Sequence, residues 1–244
     1  MNPAGRFKGQ YRSPFQQEDP AAAHVMPPAA GFPQRLDDAC RQLQLAPDAA
    51  QRDRLLRYVD QMARWNRTYN LTAVRDPGQM LVQHIFDSLA AVPALDRALD
   101  PAGPAALYDV GSGGGLPGAV LAILRPGWQV SCVDAVEKKT AFVRQMSGAL
   151  ALPNLHARHA RVEALDPAGC DLVISRAFAA LEDFASLAGR HVRDGGHLVA
   201  MKGKTPDAEI DALHAQGAWE AWKVEPLAVP ELDAQRCLVW MRRR

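Results

Sequence analysis

DVGSGGGLPG, residues 109–118, places five glycines in ten positions, overlapping the end of the apolar run ALYDV at 106–110. The run reads as a β-strand, and residues from Pro117 to about Leu124 read as a helix, so the glycines make a strand-to-helix turn. Glycines at the carboxyl end of a first strand let a ligand approach the backbone and let the next helix pack closely. Ligands of open α/β sheets bind at that end, where the strand order reverses. A turn this bare therefore points to a bound ligand.

Which ligand follows from the neighbours of the glycines. The dinucleotide pattern G-x-G-x-x-G fits only when laid from Gly113 to Gly118. Counted from Gly111, the first glycine after the strand, the sixth position is Leu116. Asp109 sets a carboxylate beside the turn, which repels a pyrophosphate and attracts a sulfonium or amino cation. No Gly-Lys-Ser or Gly-Lys-Thr follows within this turn, so a Walker phosphate loop is excluded. S-adenosylmethionine (SAM) has one adenosine, no phosphate, a sulfonium and an α-amino group, and it fits. Its ribose hydroxyls need an acceptor at the end of the second strand. Asp134, in QVSCVDA (129–135), stands there, nineteen residues beyond Gly115. Asp134 serves any adenosine cofactor, NAD included, or caps the helix that starts at Glu137; Asp109 is what selects SAM.

Outward from the turn, short apolar runs alternate with helical stretches. Strands are expected at 106–110, 129–135, 154–160, 170–177 and 196–203, with helices at 137–152, around 181–190 and near 205–215. WEAWKVEPLAV and RCLVWMR, residues 219–229 and 236–242, form a terminal hairpin-like pair. Such alternation implies a parallel sheet covered on both faces. Ahead of it, Leu55, Val59, Met62 and Asn66 share one stripe of an amphipathic helix over 49–67. Asp76 then caps a helix with Pro77 at its first position and Gln79 completing a capping box, and that helix ends near Pro93. Residues 34–100 are thus a helical region continuous with the core of 101–244.

Composition bounds the rest. With 48% hydrophobic and 23% charged residues in 244, the chain is an ordinary globular one. Residues 1–33 carry six prolines and no periodic apolar pattern, so they read as a disordered tail, with Met26 an alternative start. No run approaches the roughly 20 apolar residues of a membrane span, and AAAHVMPPAA is too broken for a signal peptide. The four cysteines form no C-x-x-C pair, which fits reduced thiols in a cytoplasm and no metal site. From Arg52 to Arg75, six arginines face only Asp53 and Asp60, and the chain ends in Arg242-Arg243-Arg244. Arg64, Arg67 and Arg75 are candidate contacts for a nucleic acid, or a solvated helix face.

DVGSGGGLPG, VDAVEKK, ARVEAL and VISRAFAAL, with WNRTYNLTAVRD and HIFDSL upstream, resemble the RsmG (GidB) family of bacterial small-subunit rRNA methyltransferases. The likeness runs from about residue 50 to MKGK at 201–204 and more loosely to the end. It implies an α/β class I SAM-dependent methyltransferase fold, a Rossmann-like seven-stranded sheet with its last strand antiparallel. It implies methylation of N7 of the guanosine at position 527 of 16S rRNA, with the small ribosomal subunit as partner. Carried over by motif, Gly111 and Leu116 line the cofactor, Val162 and Glu163 meet the adenine, and Arg176 sits at the cofactor or target mouth. Asn70 and His84 stand in family motifs and either touch the guanine edge or serve structure, Asn70 by shaping a turn and His84 as a core residue. Lys202, with Lys204 beside it, either holds phosphate or is solvated.

A guanine N7 has a lone pair and no proton, so no catalytic dyad is expected, and none is evident. No Pro-Cys suggests methylation of a pyrimidine carbon, and SRAFAAL stands where exocyclic-amine enzymes carry an Asn/Asp-Pro-Pro-aromatic segment. The expectation is a monomeric cytoplasmic enzyme that transfers methyl from SAM to 16S rRNA. A small-molecule methyltransferase and a non-catalytic ribosome-binding factor on the same fold are the competitors, with an NAD enzyme more distant.

Overall fold

The computed structural model describes residues 31–244, so the greater part of the proline-rich stretch, and Met26, lie outside the described residues. The first helix, α1 (Phe32–Gln42), already starts inside the stretch read as a tail, with Pro33 in its first turn. In α2 (Ala49–Tyr69), Asp48 accepts the Gln51 N–H at 2.7 Å and Gln51 Oε1 accepts the Asp48 N–H at 2.9 Å. This capping box was overlooked in the sequence. The one expected at Asp76 is half made: its carboxylate accepts the Gln79 N–H at 2.8 Å, with no return bond from the Gln79 side chain.

From Pro77 the chain stays helical for three consecutive pieces. They are α3 (Pro77–Met80), a wider π-helical turn (Leu81–Phe86) and α4 (Asp87–Ala98). The expected end near Pro93 is therefore wrong. Proline removes one backbone bond from a helix interior. Here the apolar face formed by Leu89, Val92 and Leu95 is fully buried, and that packing carries the helix past the defect.

The sheet has seven strands in the order β3-β2-β1-β4-β5-β7-β6. β1 (Ala105–Val110), β2 (Trp128–Asp134), β3 (Leu155–His159), β4 (Cys170–Arg176) and β5 (Val192–Lys202) are parallel. β7 (Arg236–Arg243) runs antiparallel between β5 and β6 (Trp219–Leu227). The helices α5 (Gly118–Leu124) and α6 (Glu137–Ala149) share one hydrophobic core with α1, α2 and α4. The opposite face is covered by α7 (Leu181–Ala188) and α8 (Asp207–Gln216) around a second core. The order reverses between β1 and β4, which leaves a crevice at their carboxyl ends.

Candidate active site

Three glycines of the turn have left-handed backbones: Gly111 at φ 65°, Gly113 at φ 59° and Gly115 at φ 79°. Their surroundings differ. A Cβ at Gly115 would lie 2.7 Å from both the Tyr58 hydroxyl and Val143 Cγ2, so this glycine exists for packing. A Cβ at Gly113 would meet nothing within 4 Å, so this one faces open space. Tyr58 of α2, fully buried, donates a short hydrogen bond to the Gly114 carbonyl, and Met62 also lies against Gly114. The helix α2 thus braces the turn from outside.

Asp134 is placed where its sequence position suggested, at the end of β2, and it also organises the turn. Its Oδ2 accepts the Gly113 N–H at 2.9 Å and its Oδ1 the Val136 N–H at 2.8 Å, with Lys139 Nζ at 3.8 Å. A cavity of about 300 Å³ on this side is lined by Gly111, Asp134, Lys139, Val162, Glu163 and Phe178. Four of the six residues proposed for the cofactor meet there. A second, larger cavity of about 550 Å³ adjoins it, sharing Gly111, Lys139 and Ala177. Leu116, Arg176, His84 and Lys202 line this one.

Asp109 is not where the sequence argument put it. Its side chain is buried beneath the turn, with Oδ2 accepting the Gly118 N–H at 2.7 Å, and it lines neither cavity. Burial pushes its pKa up to about 7, partly offset by the Gly118 N–H, and from beneath the turn the group offers no oxygen to a ligand in either cavity. Strand side chains alternate between faces, and position 109 points into the sheet-helix layer.

At the larger cavity's mouth the π-helical turn presents Gln83 and His84, with Asp87 following. Asp87 is buried and holds two guanidiniums: Arg176 on Oδ2 at 3.0 Å and Arg236 on Oδ1 at 2.8 Å. His84 Nε2 lies 2.9 Å from Thr72 Oγ1, and its Nδ1 faces Arg176 Nη2 at 3.5 Å. An arginine only donates, so Nδ1 is the acceptor and Nε2–H donates to Thr72. Burial, reinforced by Arg176, pushes the His84 pKa down to about 4. Thr72 Oγ1 also accepts the Val74 N–H at 3.2 Å, which leaves its own proton to donate into the cleft.

Asn70 does not line this cleft. It closes α2 in a left-handed conformation, and its Oδ1 accepts Arg75 Nη2 at 2.7 Å. Lys202 reaches the cleft wall, but its ammonium is spent on Glu209 at 2.7 Å and the Ala179 carbonyl at 2.9 Å. Thr72, Asp87, Lys139, Phe178 and Arg236 escaped the sequence reading. Thr72, Asp87, Lys139 and Phe178 stood inside the quoted motifs; Arg236 gave no local signal.

The profile of the family described as rRNA small subunit methyltransferase G matches residues 51–239. Ribosomal RNA small subunit methyltransferase G of Bordetella pertussis is 68% identical over 223 residues, covering 90% of this chain and 97% of that protein. The Bordetella petrii protein of the same name is 62% identical over 250 residues, covering 100% and 98%. The chain belongs to this family. In fold it is similar to a SAM-dependent methyltransferase of Leishmania major, with TM-score 0.55, 14% identity and coverage of 76% and 83%. The sheet order with antiparallel β7 is that of a class I methyltransferase, as the family resemblance implied.

SAM is the cofactor of this family, and the cleft fits it. A carboxylate and the apolar Val162 line the smaller cavity, as a ribose and an adenine require, and the open cradle at Gly113 leads toward the larger one. The arginines of α2 contribute less to a nucleic-acid surface than their number suggested. Arg54 and Arg57 donate to the Leu150 and Ala149 carbonyls that end α6, and Arg64 pairs with Asp60 at 2.9 Å. Arg67, exposed near the end of α2, has no ion pair among the described residues. No helix among the described residues is long and apolar enough to cross a membrane.

Proposed function

We propose that this chain methylates N7 of the guanosine at position 527 of 16S rRNA within the small ribosomal subunit, acting as a monomer in the cytoplasm with no membrane partner. The observation that carries the reading is the family match over 51–239, which spans every residue of the cleft. Bound SAM supplies an electrophilic methyl on a sulfonium. Gly111, Asp134, Val162 and Glu163 hold the adenosine end, and Leu116 and Arg176 bound the path toward the larger cavity.

Guanine N7 has an available lone pair and no proton, so the chain has no base to provide. Its work is to hold N7 in line with the methyl in a dry site. Neutral His84 fixes the Thr72 hydroxyl, which donates toward the guanine edge. Arg236 keeps one amino group without a protein partner among the described residues, aimed at the RNA backbone beside Arg176. Asn70 acts indirectly, by setting the turn that brings Leu71 and Thr72 to the cleft. Lys202 supports the wall through Glu209 and the Ala179 carbonyl, and Lys204 adds positive charge near the phosphates.

The test is transfer of labelled methyl from SAM to small subunits lacking the modification, with naked 16S rRNA and a metabolite extract beside them. Label at one guanosine N7 is expected. Label confined to metabolites would overturn the rRNA reading.

A further inference from the structure

The end of the sheet opposite the cleft holds another cavity, of about 390 Å³, which methyl transfer does not use. Two breaks in regular strand ladders build it. Between Cys170 and Leu172 of β4, the partner on β5 jumps from Val192 to His197, so residues 193–196 bulge outward, turning at Gly195 with φ 74°. On β6, pairing passes from Ala221–Met241 to Lys223–Trp240 and leaves Trp222 unopposed. Bulges of this kind re-aim a side chain and recur beside functional sites. The re-aimed side chain here is an indole left 45% exposed.

Around it the wall is aromatic and cationic. Trp219, Trp222, Arg193, Arg242 and Arg243 line the cavity, with Asp194 as its acid. The Arg242 guanidinium lies 5.9 Å from the Trp222 ring centroid, and that of Arg243 5.5 Å from Trp219. Arg242 spends its Nε on Glu220 at 2.6 Å, and Arg243 its Nη2 on the Gly189 carbonyl at 2.9 Å. Their other N–H groups have no partner among the described residues. The lining itself holds Arg193, Arg242 and Arg243 against Asp194, so the cavity wall is net positive.

We propose that this cavity is a second RNA contact, taking a single-stranded segment whose base stacks on Trp222 and whose flanking phosphates meet Arg242 and Arg243. An exposed aromatic face beside guanidiniums binds any base without reading it, because every base offers a π-face. An acidic peptide would satisfy the arginines and leave the indole face idle. A lipid surface would need further apolar side chains. Among the described residues, the other large exposed ones are Tyr69, Val136 and Phe178, on α2 and around the cleft. β5 runs from this cavity at Val192 to the cleft at Lys202, and because the bulge takes up part of its length, its register with β4 sets the span at roughly 23 Å. RNA engaged at both ends therefore passes over the β6–β7 edge. The inference rests on rRNA being the substrate of the cleft.

The test measures Trp222→Ala, Trp222→Phe and Arg242→Gln/Arg243→Gln forms of the full chain. The probes are a single-stranded oligouridylate of about ten nucleotides, naked 16S rRNA and small subunits. Oligouridylate is expected to quench tryptophan fluorescence in the unaltered protein and not in Trp222→Ala. Trp222→Ala should bind 16S rRNA roughly tenfold more weakly, and Trp222→Phe should recover most of that affinity. The double arginine variant should flatten the slope of log K against log salt by about 1.4. SAM affinity should be unchanged in all three. Equal RNA affinity in Trp222→Ala would overturn the proposal, as would a loss seen with subunits and not with naked rRNA, which would make the partner a ribosomal protein. If the unaltered protein labels no RNA, it is the reading of the cleft that fails.

Discussion

Asp109 lies directly under the glycine turn, with its Oδ2 2.7 Å from the Gly118 amide and its Oδ1 buried without a hydrogen-bond partner among the described residues. The turn is therefore fastened from below by a carboxyl whose pKa is raised to about 7 by burial. A raised carboxyl pKa means that the folded state holds a proton the unfolded state has already released. Stability is greatest below about pH 4 for this group and falls as pH rises toward 7. Asp109→Asn keeps an acceptor for the Gly118 amide and removes the titration. Denaturant unfolding of both proteins between about pH 4 and 8 should show the natural protein losing up to about 4 kcal/mol relative to the variant. Parallel curves would mean that Asp109 stays ionised.

Gly113 and Gly115 sit two residues apart and have different reasons to be glycine. Gly115→Ala would press a methyl against the Tyr58 hydroxyl and Val143 at a positive φ, and should lower stability by about 3 kcal/mol. Gly113→Ala meets no atom and should cost about 1 kcal/mol, while weakening SAM binding about tenfold by filling the cradle. Thermal melts and calorimetric titration with SAM separate the two effects.

Asp134 builds the turn and, on the proposed function, also binds the ribose. Asp134→Ala removes the acceptor for the Gly113 and Val136 amides together with the carboxylate of the smaller cavity. Hydrogen bonds to a charged group are worth about 1.5–3 kcal/mol, so SAM affinity should fall ten- to a hundredfold. Retention of full affinity would move the ribose elsewhere.

The strand-helix order and the position of Asp134 were legible because both are local: a run of apolar residues, then a turn, then a carboxylate two residues before a helix. Asp109 was visible but misread, since sequence does not say which way a strand residue faces when both faces of the sheet are covered. The cleft mouth was only partly legible. Asp87 draws its partners from Arg176 and Arg236, 89 and 149 residues away, and no spacing rule reaches that far. Pro93 misled for the opposite reason: a strong local signal lost to the burial of Leu89, Val92 and Leu95.

Asp87 gives the mouth its charge. It is buried with two guanidiniums, and its removal leaves both uncompensated. Asp87→Ala should destabilise by about 3–5 kcal/mol. Asp87→Asn keeps the shape, loses the charge and frees the arginines. It should bind rRNA at least as tightly while transferring methyl more slowly, because Arg176 and Arg236 no longer hold one geometry. Filter binding and single-turnover transfer distinguish this from simple loss of affinity.

The pH dependence of methyl transfer and the cost of removing His84 together test whether it acts by shape or as a base. A base with its pKa at about 4 would give the same acid limb as a shape role, but its removal would cost about 10²–10⁴-fold. Only a base of ordinary pKa would give a rate that rises near pH 6.5. With a pKa lowered to about 4, His84 is already neutral there, and guanine N7 offers no proton to remove. Single-turnover rates on the natural protein should be flat between about pH 6 and 8, then fall below about pH 5. The fall has a structural cause: protonation turns Nδ1 into a donor facing Arg176 Nη2 at 3.5 Å, so two cations repel across the mouth. The same titration affects the fold. A depressed histidine pKa contributes stability above about pH 6.5 that is lost as pH drops toward 4. His84→Asn keeps a donor for Thr72 and should slow transfer by less than tenfold while abolishing the acid limb above about pH 4. A loss of about a hundredfold or more in His84→Asn between about pH 6 and 8 would instead make His84 a base and require a target that carries a proton.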